Sequence, residues 1–360
     1  MDYAFDWIVA TKFHPPAPHS ELLPRPRLAG SLADALSSRR LTILSAPAGS
    51  GKTTALAEAL RGLALPTVWL ALDADDNDPA RFALGLLAGI GRVRPGCGDL
   101  ARSLLAGLDN PAADLRRVLG VLINELLEPP APLLLVLDDL HLIEEPAIHA
   151  GLEFLLERMP PGLRLAATTR AEPPLALARL RAQRQLAEFR LDELCFTPGE
   201  TADWLNERLG LGLPAGELAL VQSATAGWAA GLGLVAGSLD RRAPADERWL
   251  LDALGRAGGF MFDFLAEEVL RREDPAVRRF LLETAVLADL TPALCAAVTG
   301  RDDAGRLLET VRARNLFVAE IGGPQRVARY HPLFAGFLLA QLEREQPGRA
   351  AELRLRAAAA

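Results

Sequence analysis

Lysine is almost missing from this sequence: Lys12 and Lys52 are two of its 39 basic residues, the other 37 (39 − 2) being arginine. Against that bias each lysine needs a reason. Arginine does not replace lysine at a phosphate site that needs a compact ammonium on a slim stem. Cysteine is scarce too. Cys97, Cys195 and Cys295 stand alone, odd in number and without CxxC spacing. That excludes a disulfide framework or a zinc site and reads as reduced thiols in a cytosolic protein. An excess of positive charge is also absent: the net charge of −7 and pI near 5.4 argue against a large nucleic-acid footprint.

Residues 1–6 lack a basic n-region and an apolar h-region, so no secretory signal is expected. No uniformly apolar run is long enough for a membrane span. Residues 218–239 carry no charge, but Gln222, Ser223, Thr225, Ser238 and glycines 227, 231, 233 and 237 interrupt them. They read as a buried helix pair broken near Gly227. What remains is a chain of 360 residues, half hydrophobic and a quarter charged, enough for two or three domains with cores.

The first 40 residues open with a proline-rich arm (Pro15, Pro16, Pro18, Pro24, Pro26) that reads as extended and non-helical, followed by a short helix at about 29–38. Strand patterns follow at 41–45, 67–72, 133–139 and 163–169, and the third is a continuous apolar run ending in acids. Helical patterns alternate with them at 53–63, 79–90, 115–126 and 146–158, with residues 91–112 loop-like apart from a short helix near 100–107. Asn77-Asp78-Pro79 supplies the cap and first-turn proline of one of these helices. The alternation predicts a doubly wound parallel sheet. Beyond about residue 196 the pattern is helical, through 198–240 and 246–312. A strand pair, 316–321 and 327–330 around Gly322-Gly323, and a last helix from 332 then suggest a winged helix.

Three features carry chemistry. The segment Ala-Pro-Ala-Gly-Ser-Gly-Lys-Thr at 46–53 lies between a strand and a helix. Gly49 and Gly51 let backbone amides curl round an anion, Lys52 reaches β- and γ-phosphates, and the Thr53 hydroxyl can ligate magnesium. The helix start adds its partial positive charge. Ala46 stands where the strict pattern has glycine. Second, Asp138 and Asp139 close a buried strand, where one carboxylate can hold magnesium and its neighbour can position or deprotonate water. Third, Arg170 follows the strand 163–169 at the ligand-binding edge of the sheet and can meet γ-phosphate charge. The acidic run Asp73, Asp75, Asp76, Asp78 lacks the glycine and distal glutamate of a calcium loop and reads as a capped helix start. Taken alone, His331 reads as a structural histidine.

These segments resemble the ATPase portion of MalT-type, large LuxR-family transcriptional activators in the STAND (AP-ATPase-like) class. The resemblance rests on Thr-Lys-Phe-His-Pro-Pro at 11–16, Arg-Pro-Arg-Leu at 25–28, the phosphate loop through Thr54, and Asp-Asn-Asp-Pro-Ala-Arg-Phe at 76–82. It continues in Leu-Asp-Asp-Leu-His at 137–141, Thr-Thr-Arg-Ala-Glu-Pro-Pro at 168–174, Gly-Trp-Ala-Ala-Gly at 227–231, Ala-Arg-Asn-Leu-Phe at 313–317 and His-Pro-Leu-Phe at 331–334. It implies a P-loop nucleotide-binding domain (41–195) after an N-terminal arm (1–40), then a helical domain (196–245), a winged helix (246–345) and the start of a helical-repeat sensor (346–360). It also implies that ADP holds a closed form, that ATP permits self-association, and that His331 meets the β-phosphate.

On this resemblance Ala46, Ser50, Thr54 and Arg25 join Gly49, Gly51, Lys52 and Thr53 as nucleotide-binding residues, with Mg2+ on Thr53 and Asp138. Many relatives carry Gly-x-Pro against the adenine, whereas this chain has Gly227-Trp228-Ala229. The family continues into an inducer-binding sensor and a DNA-binding helix-turn-helix that residues 1–360 do not contain, so the resemblance implies either a fragment or a natural truncation. The resulting expectation is an ATP/ADP switch with slow hydrolysis, in the cytoplasm and away from membranes. An immune-type scaffold with another effector, or a turnover ATPase motor resembling AAA proteins, are the competing readings. No pore loop supports the motor.

Overall fold

Runs of leucine, valine and isoleucine too short for helices take the extended form and pair side by side. The computed structural model describes residues 8–17, 23–128, 131–239, 247–321 and 327–360. The chain divides into two units, Met1–Ser45 with Lys52–Arg190, and Ala46–Gly51 with Leu191–Ala360.

In the first unit helix α1 (Pro26–Ser38) leads to β1 (Leu41–Ser45) and α2 (Lys52–Arg61). Next come β2 (Thr67–Ala71), α3 (Pro79–Val93), α4 (Asp99–Ala106), α5 (Pro111–Leu127) and β3 (Leu133–Asp138). The unit closes with α6 (Pro146–Glu157), β4 (Leu163–Thr169), α7 (Leu177–Ala182) and β5 (Leu186–Phe189). The five strands are all parallel in the order β2-β3-β4-β1-β5. Every residue of β1 and β3 is buried, as their apolar runs, broken only by the terminal Asp138 of β3 and the hydroxyls of β1, require of strands covered on both faces. Leu86, Leu119, Leu122, Leu135 and Leu165 belong to one core cluster at 2% exposure or less, and each such side chain contributes roughly 1.5–3 kcal/mol by leaving water.

Because β4 lies between β1 and β3, Ser45 faces Thr169 across one ladder, and Asp138 faces Ala71 across another. The functional ends of three strands are thereby collected on one edge.

The arm departs from its sequence reading at both ends. Ala10–Phe13 forms a 3-10 turn ahead of the prolines. Pro26, expected in the extended arm, is instead the first residue of α1. Proline fits there because the first helical N–H has no partner to lose and its φ is already helical. Strand β5 was not visible in the sequence. It is short and only Phe189 is buried, so a half-exposed edge strand leaves little hydrophobic signal.

The second unit is mostly helical: α8 (Leu191–Leu194), α9 (Pro198–Ala202) running on into a π-helical turn at Asp203–Arg208, α10 (Ala215–Thr225), α11 (Ala229–Ser238) and α12 (Glu247–Glu268). The break between α10 and α11 falls at Ala226 and Gly227, both left-handed with φ of 47° and 75°. A Cβ at Gly227 would meet the Phe196 carbonyl oxygen at 2.2 Å, so only glycine fits. This is the helix pair read from residues 218–239, and no helix among the described residues is long and apolar enough to cross a membrane.

Then follow α13 (Pro275–Thr284), α14 (Pro292–Thr299), α15 (Ala304–Ala313), β6 (Val318–Ile321), β7 (Val327–Tyr330), α16 (Pro332–Glu345) and α17 (Arg349–Ala358). Helix α14 shows how local chemistry sets the bounds: the Thr291 hydroxyl accepts from the Leu294 N–H, Pro292 starts the helix, and left-handed Gly300 ends it. The antiparallel β6–β7 pair, Val318 opposite Tyr330, is the wing. The Gly322-Gly323 turn expected between its strands lies outside the described residues.

Candidate nucleotide site

The loop after β1 has the backbone that its glycines foretell. Gly49 and Gly51 take φ of 71° and 79°, which an L side chain adopts only with strain. Ala46 and Ser50 are buried, and the Ser50 hydroxyl donates to the Pro47 carbonyl at 2.8 Å, tightening the curl. Lys52 opens α2 and is only 6% exposed. Burial, with Arg170 adding its charge, pushes its ammonium down to about 8, against the pull of Asp139 and Asp138.

Beside it, Asp138 ends β3 at 5% exposure. Its Oδ1 accepts from the Thr53 hydroxyl at 2.9 Å and from the Thr168 hydroxyl at 2.5 Å. Burial raises the Asp138 pKa, and these two hydrogen bonds and Lys52 work against that while Asp139 adds to it. The same Thr168 oxygen accepts the Asp139 N–H at 2.9 Å. Asp139 itself is left-handed, φ 60° and ψ 42°, a conformation that costs a non-glycine residue about 1–3 kcal/mol and clusters at functional sites. Thr168 was not among the residues singled out by sequence. The signal was its place one strand over from Asp138, visible only once β4 is known to separate β1 from β3.

Arg170 follows β4. The Thr169 hydroxyl donates to the Ala171 carbonyl at 2.6 Å and accepts the Ala171 N–H at 3.2 Å, which fixes the backbone on either side of Arg170. Arg25 is buried at the start of α1, its N–H on Glu58 of α2 at 3.3 Å. Thr54 is exposed one position further into α2. The first unit thus gathers Lys52, Thr53, Asp138, Asp139 and Arg170. Among the described residues no group of three or more His, Cys, Asp or Glu forms a metal cluster. The hydroxyl and carboxylate of Thr53 and Asp138 match magnesium, which keeps most of its waters and takes few protein oxygens.

In the second unit the loop residues pack on Trp228, which is fully buried. His331 caps α16. Neither ring nitrogen has a partner in hydrogen-bond geometry among the described residues. Burial pushes its pKa down to about 4, the nearby Ala226 carbonyl acting in the opposite sense. The imidazole is therefore neutral near pH 7, with the Ala226 carbonyl as the one acceptor near its donor nitrogen and its acceptor nitrogen unmet. The acidic run at 73–78 is structural: Asp78 caps α3, and Asp73 and Asp76 take Lys12.

Comparison with known proteins bears on the domains that carry these residues. Residues 25–167 match the AAA ATPase domain family and residues 266–350 the MalT winged helix domain. The serine/threonine-protein kinase PknK of Mycobacterium tuberculosis is 37% identical over 354 residues, 97% of this chain but 31% of that protein. The HTH-type transcriptional regulator MalT of Cronobacter sakazakii is 33% identical over 331 residues, 92% of this chain and 36% of the relative. MalT of Yersinia enterocolitica is 34% identical over 299 residues, 83% and 33% respectively. The chain thus spans about a third of the length of the curated relatives it matches. Among solved structures, the Walker-type ATPase of Pyrococcus abyssi superposes with a TM-score of 0.60 at 15% identity, covering 90% of this chain and 98% of that one. That likeness is one of fold. The chain thus carries an AAA ATPase domain followed by a MalT winged helix domain, an arrangement related to the corresponding stretch of MalT.

Proposed function

We propose that this chain is the nucleotide-controlled switch of a larger cytoplasmic regulator, binding ATP or ADP with Mg2+, hydrolysing slowly and signalling by conformation. The observation that carries the reading is His331: a neutral imidazole whose buried nitrogens have no partner in good hydrogen-bond geometry, only the Ala226 carbonyl nearby, in the unit that contains the phosphate loop. A buried polar group left unmet costs about 1–3 kcal/mol, and a phosphate oxygen accepting from that ring would meet its donor nitrogen. Bound Mg-ATP supplies a γ-phosphate whose transfer to water changes the charge that the protein must meet.

The chain's own residues have separable parts in this. The amides around Gly49, Ser50 and Gly51, with Ala46 lining the loop, hold phosphate oxygens, and Lys52 neutralises them. Thr53 and Asp138 hold the metal, Asp139 orients or deprotonates the attacking water, and Arg170 meets the γ-phosphate. Arg25 and Thr54 complete the nucleotide's surroundings. State is passed on by differential contact, since a ligand shifts an equilibrium only as far as its affinities for the two forms differ.

Two relatives with different printed activities, a kinase and a transcriptional regulator, share this stretch over about a third of their lengths. The shared part supports nucleotide control in preference to either output. Self-association in the ATP state belongs to the proposal, and so does contact with inducer and DNA through parts outside residues 1–360.

The test is His331→Ala. ADP should leave roughly tenfold faster, as expected for one lost hydrogen bond to a charged group, and the protein should assemble at lower ATP by light scattering. An unchanged ADP release rate and unchanged assembly in that variant would refute the locking role.

A further inference from the structure

The carbonyls on the back of the phosphate loop are held by one short segment of the same unit. Trp228 Nε1–H donates to the Ala48 carbonyl at 3.2 Å, and the Ala230 N–H donates to the Gly49 carbonyl at 2.9 Å. In a trans peptide the carbonyl and the following N–H point opposite ways. Fixing these two carbonyls toward Trp228 and Ala230 therefore turns the N–H groups of Gly49 and Ser50 away from them, as a phosphate cradle requires. The fit is close: a Cβ on Gly49 would lie 2.7 Å from the Trp228 ring and 2.7 Å from the Ala230 methyl.

The indole also meets two aromatic rings, one from α12 and one from the winged helix. Phe317 meets it edge-on at 5.7 Å, and Phe264 of α12 does so at 5.4 Å. Phe317 in turn stacks on Phe334 at 5.0 Å, lies 6.1 Å from the His331 ring, and its carbonyl accepts the backbone N–H of His331 at 2.7 Å. Phe317 is fully buried yet left-handed, φ 53°, a conformation unfavourable for an aromatic residue. The neighbouring Asn315 and the helix-break residue Ala226 are left-handed as well, at 48° and 47°. Strain of this kind persists where surrounding contacts impose it and recurs at switching segments.

We propose that Trp228 is a positioning residue for the phosphate loop, and that the winged helix sets the loop's grip on nucleotide through Phe317. The proposal rests on the reading that this loop holds a nucleotide. It gives the middle residue of Gly227-Trp228-Ala229 a task, orientation of the loop amides, that requires no contact with the base. Through it, a shift of Phe317 would loosen the two carbonyls and the amides behind them, without any change in Lys52.

The experiment uses mant-ADP with magnesium and follows its release by stopped flow. Trp228→Phe keeps an aromatic ring and deletes the N–H; release should quicken about five- to tenfold, the scale of one buried hydrogen bond. Replacing Trp228 by 3-benzothienylalanine, which has the indole's shape with sulfur in place of N–H, should do the same and serves if the phenylalanine variant does not fold. Phe317→Leu should also quicken release, and the double variant should show less than the product of the two effects, because both act through one contact. Release within twofold of the parent in a folded Trp228 variant would overturn the proposal, and so would full multiplicativity with Phe317→Leu. Lys52→Ala separates this from the underlying reading. If the parent binds mant-ADP and Lys52→Ala does not, while Trp228 variants release at the parent's rate, only the positioning role fails. If the parent binds none, the nucleotide reading itself fails.

Discussion

The carboxyl edge of the sheet carries two clusters in which a buried lysine sits near aspartates, and they are built to opposite ends. Beyond β2, Lys12 Nζ donates to Asp73 at 2.7 Å and to Asp76, with Arg81 Nε 3.3 Å from Asp76. Asp73 and Asp76 also form a capping box with each other's backbone. Charge is met inside the cluster, and it anchors the N-terminal arm to the end of the edge strand. Beside β1 and β3, Lys52 lies in the field of Asp138 and Asp139, yet burial and Arg170 prevail and its pKa falls to about 8. Asp138 is engaged by two hydroxyls. The first cluster is finished without a ligand; the second holds a cation at a cost that an anion would relieve. On the proposed reading, a buried lysine in an arginine-rich chain marks an anchor in one place and a phosphate site in the other, and only the partners tell them apart.

The largest effect that would break this contrast concerns binding. Lys52→Ala should reduce Mg-ADP affinity by at least ~100-fold, the scale of losing a charge-assisted contact in a dry site, measured by isothermal titration. Lys12→Ala should leave that affinity within about threefold. Stability should behave in reverse. Lys12→Ala leaves Asp76, whose side chain is 6% exposed, with Arg81 as its remaining cation, and should cost about 2 kcal/mol in urea unfolding of the nucleotide-free chain, the scale of a hydrogen bond between charged groups. Lys52→Ala should leave that stability unchanged or raise it by about 1–2 kcal/mol, because a desolvated charge is removed. Equal losses in both variants would erase the distinction.

A third effect sharpens it through protons. The folded-state pKa of Lys52, about 8, lies below the ordinary 10.5. The unfolded chain therefore keeps this proton longer, and nucleotide-free stability should rise as pH climbs from 8 toward 10. Anion binding restores the charged form, so ADP binding at pH 9 should take up close to one proton. Titrations in buffers of different ionisation enthalpy would measure it, and the uptake should vanish in Lys52→Ala. The smallest effect belongs to Thr168→Val, which removes one donor from Asp138. Its carboxyl should rise further and magnesium-dependent affinity should fall about tenfold, the value of one hydrogen bond to a charged group.

Much of this edge was legible from sequence because its signals are local. The phosphate loop is contiguous, the run of 133–138 is apolar to its acids, and Arg170 directly follows a strand. Thr168 and Trp228 were not legible as site residues, for different reasons. Thr168 matters because β4 lies between β1 and β3, a fact of sheet order that no local pattern carries. Trp228 lies 180 positions from Ala48, inside an uncharged stretch whose composition marks burial and nothing more. Pro26 and β5 show the complementary weakness at element ends: a first-turn proline resembles a breaker, and an edge strand with Glu188 tied to Arg181 and Arg190 resembles a loop.

The central claim is that this site holds adenine nucleotide as a switch does. The most direct measurement is to heat-denature the purified chain and identify released nucleotide by ion-exchange chromatography, with Lys52→Ala alongside. The account predicts close to one ADP per parent chain and none from the variant. A parent that releases nothing and also fails to bind added Mg-ATP or Mg-ADP would contradict it.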